Sequence, residues 1–395
     1  MKIIAILESH VTVGGQFNQS LNAILQMKGI CEGRFDFEVF TFYADNVEFL
    51  KKLGVECIWF KPSLLERILA RANRSPLLRT RQRRKKIIGL LERKLIEHGA
   101  DLVYFLTQSP IGDSFKQLNF ITTVFDLSHR DTPEFPEVRC FGEFQERELH
   151  LQNGLASALL IITESEHLSD SISQRYGIDR ERCLPMPMSP SPFLQNKSNI
   201  DKYSVLQKFN LKEGYFFYPA QFWSHKNHVR ILEALVILRK DNINLNVAFA
   251  GSDQGNRKHI ENLVDRYQLR DQVSFLGFVP VDYMRGLFEG ACGVIMPTYF
   301  GPTNLPPLEA WLIGKPLIYS AHLKEHAGDA AILVNPDDAS ELANAMKACT
   351  DQAISSLLVK AGTLRLSQID SLRKKRENEF VSRLIQFEAR RKCWP

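Results

Sequence analysis

Short apolar runs rich in Val, Ile and Phe alternate with longer stretches of helical periodicity, and the alternation runs twice through the chain, on either side of a proline-dense segment. That pattern is the mark of βαβ units built on a parallel sheet. It confines the chain to the α/β class and, because it occurs twice, to two Rossmann-like domains. The first series predicts strands at Ile3–Glu8, Phe37–Tyr43, Cys57–Phe60, Leu102–Leu106, Ile121–Phe125 and Leu159–Thr163. The second predicts Tyr215–Gln221, Val247–Gly251, Val273–Leu276, Gly293–Pro297, Pro316–Tyr319 and Ala331–Val334. The separator, Leu184 to Pro192, holds too many prolines for a helix or a central strand and reads as an interdomain linker. A length of 395 residues also exceeds what one hydrophobic core usually supports. The expected organisation is an N-terminal domain over 1–190, a C-terminal domain over 191–370, and a final helix over 371–395 that crosses back to the first domain. The segment Leu364–Ala389 predicts that helix, with apolar Ile369, Leu372, Phe380, Leu384 and Phe387 spaced among charges.

Several function classes are disfavoured. The longest apolar stretches, such as Leu155–Thr163, fall far short of the twenty or so residues that span a bilayer. Met1-Lys2 followed by Ile3–Leu7 imitates a signal peptide, but the run stops at Glu8 without a small-residue cleavage site, so a buried strand is expected. Seven cysteines are scattered without a C-x-x-C pair, which favours a cytoplasmic protein over disulfides or zinc. A net charge of +5 does not indicate nucleic acid. The charge is concentrated in Arg67–Lys94, including Arg79, Arg81, Arg83, Arg84, Lys85 and Lys86, interleaved with Ile and Leu. Two readings stand for this stretch: a solvated basic helix, or a face for anionic lipid or an anionic acceptor at the inner membrane surface.

Three segments carry chemistry. Gly14-Gly15 follows the first strand, where a Rossmann-like turn brings backbone amides close to a diphosphate; a purely structural turn explains two glycines equally well. No G-x-G-x-x-G fingerprint is present, which argues against a nicotinamide dinucleotide enzyme. Tyr218–His228 leaves the first strand of the second series and enters a helix near Lys226. An ammonium beside unpaired helix N–H groups neutralises a diphosphate without a metal, whereas a lysine in a loop is also simply a solvated lysine. Pro297–Ala310 is a strand end, a loop bent by Gly301 and prolines, and a helix start carrying Glu309, suited either to ribose hydroxyls or to the helix dipole.

With Thr123–Arg130 before them, these segments resemble the family-4 retaining glycosyltransferases of GT-B fold, in order along nearly the whole chain: glycine turn, mid-chain histidine, proline linker, lysine loop, Phe275–Val279 and the Leu-Pro-Pro-Leu-Glu loop. The resemblance implies two Rossmann-like domains facing across a cleft, with a nucleoside-diphosphate sugar as donor and no metal required. It implies that Gly14 and Gly15 approach the donor phosphates, that Lys226 holds the diphosphate, and that main chain at Phe278 and Val279 meets the base. Thr303, Asn304 and Leu305 match the loop whose amides reach phosphate and sugar, Glu309 the ribose-binding glutamate, and His129 the first-domain histidine near the reacting centre.

The chain departs from the family at two places. The first of the family's paired glutamates falls on Gly301, leaving Asn304 as a candidate replacement. The arginine that precedes the lysine is absent, with Gln221 nearest, so His225 or His228 would have to add positive charge. The expected function is retaining transfer of a hexose or deoxyhexose to a glycan or lipid-linked acceptor in surface polysaccharide or lipopolysaccharide assembly. An epimerase or phosphorylase of the same fold, or a non-catalytic nucleotide-sugar binder, is the alternative. Nucleotide, sugar and linkage are left open.

Overall fold

The computed structural model describes residues 1–11, 15–61, 88–109, 111–195, 200–301 and 304–394. The expected site residues Gly14, Thr303, Arg79, Arg81, Arg83, Arg84, Lys85 and Lys86 lie outside them. Two compact units emerge, one of 1–127, 145–188 and 373–395, the other of 128–144 and 189–372.

The first unit is built on seven parallel strands among the described residues: β1 (Lys2–Leu7), β2 (Asp36–Thr41), β3 (Cys57–Trp59), β4 (Leu102–Phe105), β5 (Asn119–Val124), β6 (Leu160–Thr163) and β7 (Cys183–Pro185). Their order is β3-β2-β1-β4-β5-β6-β7. Helices on both faces require the central strands to be apolar throughout rather than alternating. Accordingly Ile3, Ile4, Ala5, Ile6 and Leu7 are all fully buried.

Strand β7 corrects the linker expectation, because Leu184 and Pro185 are the end of a strand paired with Ile162 and Thr163 of β6. Proline is tolerated there because β7 is an edge strand and a ladder on one side leaves room for a missing N–H. The ladder then ends with Met186 N–H donating to Thr163 O at 2.7 Å.

The second unit holds six parallel strands among the described residues: β8 (Tyr215–Pro219), β9 (Val247–Ala250), β10 (Val273–Gly277), β11 (Ala291–Met296), β12 (Leu317–Ser320) and β13 (Ile332–Val334). They are ordered β10-β9-β8-β11-β12-β13. Tyr215, Phe216, Phe217 and Tyr218 of β8 are buried against neighbours on both faces. Helix His228–Lys240 buries Ile231, Leu232, Leu235 and Leu238, the i, i+4, i+7 stripe of an amphipathic helix, and packs on helix Ala339–Cys349.

A helix of 40 residues, Gln352–Arg391, ends the described chain. Asp351 caps it by accepting from the N–H groups of Ala353 and Ile354. In the second unit Gly362 lies so close to Trp311 that a Cβ would meet the indole at 2.4 Å, so glycine is what allows the helix to seat. From Arg373 onward the helix belongs to the first unit, where Phe380, Leu384 and Phe387 are buried and Glu388 meets the N-terminal ammonium at 2.9 Å. Leu372 departs from the expected apolar stripe: it is 41% exposed, at the point where the helix passes from one unit to the other. Among the described residues no helix is long and apolar enough to cross a membrane.

Candidate functional site

In an open parallel sheet, loops leaving the carboxyl ends of the two strands that flank the reversal of strand order splay apart and leave a crevice. In the second unit those strands are β8 and β11, which pair directly. The loop after β8 carries Gln221 and Lys226; the loop after β11 carries Gly301 and Asn304. Topology therefore brings together two segments that lie far apart in sequence.

The β8 loop closes in a short 3₁₀ turn, Ser224–Lys226, followed by Asn227 at φ 56°. Asparagine tolerates this left-handed conformation better than most side chains. Its amide also donates to Pro297 O at 3.1 Å and Pro336 O at 2.8 Å, which ties the turn to the neighbouring loops. The Lys226 carbonyl accepts from the Tyr218 hydroxyl at 2.7 Å. With its main chain held this way, half-buried Lys226 extends Nζ to within 3.3 Å of Asn304 Oδ1.

Asn304 is the cap residue of helix Leu305–Ile313, whose Pro306 and Pro307 occupy first-turn positions that need no N–H partner. Its side-chain NH₂ donates to Gly301 O at 3.0 Å and to the Tyr319 hydroxyl at 2.7 Å. Asn304 is thus a clamp on the loop, with its remaining oxygen turned to Lys226. It does not stand in for a free carboxylate.

Gly301 has φ 109°, a region that L side chains rarely adopt, and a Cβ there would come within 3.0 Å of Asn304 Oδ1. The glutamate expected at this position from the family pattern is incompatible with this loop. Gly301→Ala is expected to cost about 1–2 kcal/mol from the backbone conformation alone, measured as a loss in denaturant midpoint without change in m.

Glu309 lies one turn into the helix and is 7% exposed. Burial raises its carboxyl from an ordinary 4.5 to about 7. Leu305, the first residue of that helix, is buried. Gln221 accepts from Trp223 Nε1 at 3.1 Å. After β10, Phe278 is 52% exposed while Val279 is buried. Gly15, in the first unit, is the exposed first residue of helix Gly15–Cys31, and nothing lies within 4 Å of where its Cβ would be. His129 is fully buried in the four-residue helix Ser128–Asp131, its ring edge-on to Phe144.

The two histidines invoked for extra charge do not supply it. His228 is buried, stacked on Phe222 at 4.5 Å between ring centroids, and burial, with Lys226 and His225 adding to it, pushes it down to about 3. His225 directs its ring Nδ1 to the carboxylate of Glu137, so any charge it carries is matched by one of opposite sign. The expectation for His228 fails because its ring faces aromatic neighbours; that for His225 fails because of a partner 88 residues earlier in the chain. Glu137 and Phe300, whose ring stacks on His225 at 3.7 Å, were not singled out from the sequence. No local pattern marks them.

Residues 199–356 match the family described as glycosyl transferases group 1. Over 223 residues, 55% of the chain, it is 27% identical to the O-antigen chain mannosyltransferase B of Escherichia coli. Over 189 residues, 47% of the chain, it is 26% identical to the O-antigen chain mannosyltransferase RfbU of Salmonella typhimurium. These matches span 58% and 50% of the relatives' own lengths. Among solved structures, Anabaena Alr3699/HepE in complex with UDP and glucose superposes with TM-score 0.73 at 17% identity, over 97% of this chain and 100% of the other. WaaG, a glycosyltransferase involved in lipopolysaccharide biosynthesis, superposes with TM-score 0.67 at 15% identity, over 96% and 99%. The likeness in fold therefore runs along nearly the whole chain, with two Rossmann-like units of the GT-B class. Residues 199–356 are thus similar to the glycosyl transferases of group 1, and the fold shared with these structures along nearly the whole chain is that of the GT-B class.

Proposed function

We propose that the protein is a retaining glycosyltransferase that moves a hexose or deoxyhexose from a nucleoside-diphosphate sugar to a hydroxyl of a glycan or lipid-linked glycan in surface polysaccharide assembly. The observation that carries the reading is the approach of Lys226 Nζ to Asn304 Oδ1, which puts a cation between the two loops at the switch point of the second sheet. The names of the two O-antigen mannosyltransferases support the acceptor class and make mannose the first hexose to test.

In the proposed reaction the bond from the anomeric carbon to the diphosphate oxygen breaks as the acceptor oxygen bonds to the same face. The acceptor's proton passes to the departing diphosphate. Same-face substitution leaves no role for the nucleophile-and-acid carboxylate pair of retaining glycosidases. Lys226, with N–H groups of the Gly301–Leu305 loop, neutralises the charge that grows on the leaving group, and Glu309 holds the ribose. His129 is retained as the candidate histidine near the reacting carbon, Gln221 and the main chain of Phe278 and Val279 as donor contacts, and Gly14, Gly15, Thr303 and Leu305 as backbone contacts. An anionic membrane surface is proposed to meet Arg79–Lys86 on its sequence alone.

The test is thermal unfolding with GDP, UDP or dTDP. The cognate diphosphate at a hundred times its dissociation constant adds about 2.7 kcal/mol, and the other two much less. Turnover of the matching sugar donor is then expected with retained anomeric configuration by NMR, at a rate unchanged by a chelator, since the charge on the leaving group is assigned to Lys226. A rate abolished by the chelator and restored by a divalent cation would overturn that assignment.

A further inference from the structure

We propose that Glu137 is a positioning residue for Lys226, acting through His225; the inference rests on the donor-site reading above. Glu137 lies on the short helix Pro136–Arg139, within the same compact unit as the lysine loop, and its side chain is 7% exposed. Its Oε1 accepts from the main-chain N–H of His225 at 2.8 Å and from the His225 ring Nδ1. On the opposite side of the residue, the His225 carbonyl accepts from Tyr299 N–H at 2.9 Å and from the Thr298 hydroxyl at 3.3 Å. The imidazole is stacked flat on Phe300, and Phe135 meets both rings edge-on.

His225 is therefore held at its N–H, its ring and its carbonyl, and it immediately precedes Lys226. The direction in which the ammonium leaves the 3₁₀ turn is set by this frame on one side and by the Tyr218 hydroxyl on the Lys226 carbonyl on the other. Glu137 reaches the turn from outside the two loops after β8 and β11, as its neighbour Phe135 does. A cation preorganised where charge develops needs no reorientation during reaction, so a group that fixes its position contributes to its effect.

Two physical roles for Glu137 predict opposite results. Although burial alone would raise its carboxyl, hydrogen bonds from the His225 ring and main chain outweigh that and hold it below the usual carboxylate range, so it is ionised. If it acted only as a charge, its removal would tighten binding of an anion near Lys226. If it acts by position, reach matters more than charge.

The experiment compares Glu137→Asp, which keeps the charge and loses one methylene of reach, with Glu137→Gln, whose amide oxygen can still accept both N–H groups. Binding of the tightest of GDP, UDP and dTDP, and of its parent nucleoside, is measured by calorimetry for each variant. The Asp variant is expected to bind the diphosphate about tenfold more weakly, and the Gln variant within about threefold of the parent protein. Nucleoside affinity stays unchanged in both. In a Lys226→Ala background the Asp substitution has no further effect, because the group it positions is gone. Equal losses for nucleoside and diphosphate, or a Gln variant weaker than the Asp variant, would overturn the proposal while leaving the donor site intact. If Lys226→Ala alone binds the diphosphate as well as the parent does, the donor-site reading falls and this inference with it.

Discussion

Lys226→Ala is expected to lower kcat/KM for the sugar donor by about 10²–10³, or roughly 3–4 kcal/mol of transition-state stabilisation. The size follows from what surrounds the ammonium. His228 is held neutral by burial, and His225 is matched by the Glu137 carboxylate, so neither histidine compensates for a lost cation. Charge on the bridging and terminal diphosphate oxygens grows as the glycosidic bond breaks, so the loss falls more on kcat than on KM. Lys226→Arg is expected to recover a minor part of the activity. A guanidinium is a planar fork, and the 3.3 Å approach to Asn304 Oδ1 is made by a single ammonium at the end of a flexible stem. Steady-state kinetics with saturating acceptor decides the matter. An alanine variant within threefold of the parent would remove Lys226 from the mechanism.

Each strand expected from the apolar runs is present, because a parallel strand buried on both faces has to be written as consecutive Val, Ile, Leu and Phe and is hard to disguise. Strand β7 escaped for the converse reason. An edge strand may contain proline, so Cys183–Pro185 shares its composition with the linker that follows. The lysine loop and the Gly301–Glu309 loop were legible because each directly follows a strongly patterned strand and precedes a helix. What joins them was not. The φ of Gly301 depends on backbone geometry, and the clamp by Asn304 on Gly301 and Tyr319 reaches across neighbouring segments. The bond from Glu137 to His225 spans 88 residues. Nothing in the spacing of Pro136-Glu137-Val138 marks it as facing a histidine turn in the second unit. His228 misled for a related reason: a histidine next to a lysine invites an electrostatic role, but its position on the inner face of helix His228–Lys240 sends the ring into Phe222 and Phe249.

Nucleoside diphosphate affinity is expected to rise with pH between 6 and 8, by up to about tenfold per pH unit below the titration midpoint, and Glu309→Gln is expected to remove the part of that rise owed to the protein. Burial lifts the Glu309 carboxyl to about 7, because its ionised form loses the stabilisation that water gives it. Ribose hydroxyls donating to it would supply that stabilisation, so the complex favours the carboxylate and binding near neutrality releases a proton. Diphosphate oxygens also titrate in this range, but their contribution is common to parent and variant and cancels in the comparison. The same shift has a consequence for stability of opposite sign to the usual carboxylate. Because the folded-state value lies above the unfolded one, the folded protein is progressively destabilised as pH rises from near 4.5 through 7, with the full cost present above 7 and none below 4.5. Without ligand, Glu309→Gln is therefore expected to be more stable than the parent at pH 8, by on the order of 3 kcal/mol, and equally stable at pH 4. At pH 8 it is also expected to bind the nucleotide about 10–100-fold more weakly, the loss typical of hydrogen bonds to a charged group. A gain in stability coupled to a loss in affinity is what separates a ligand-binding carboxylate from one that merely completes a helix, whose removal would change stability and leave affinity and its pH slope as they were.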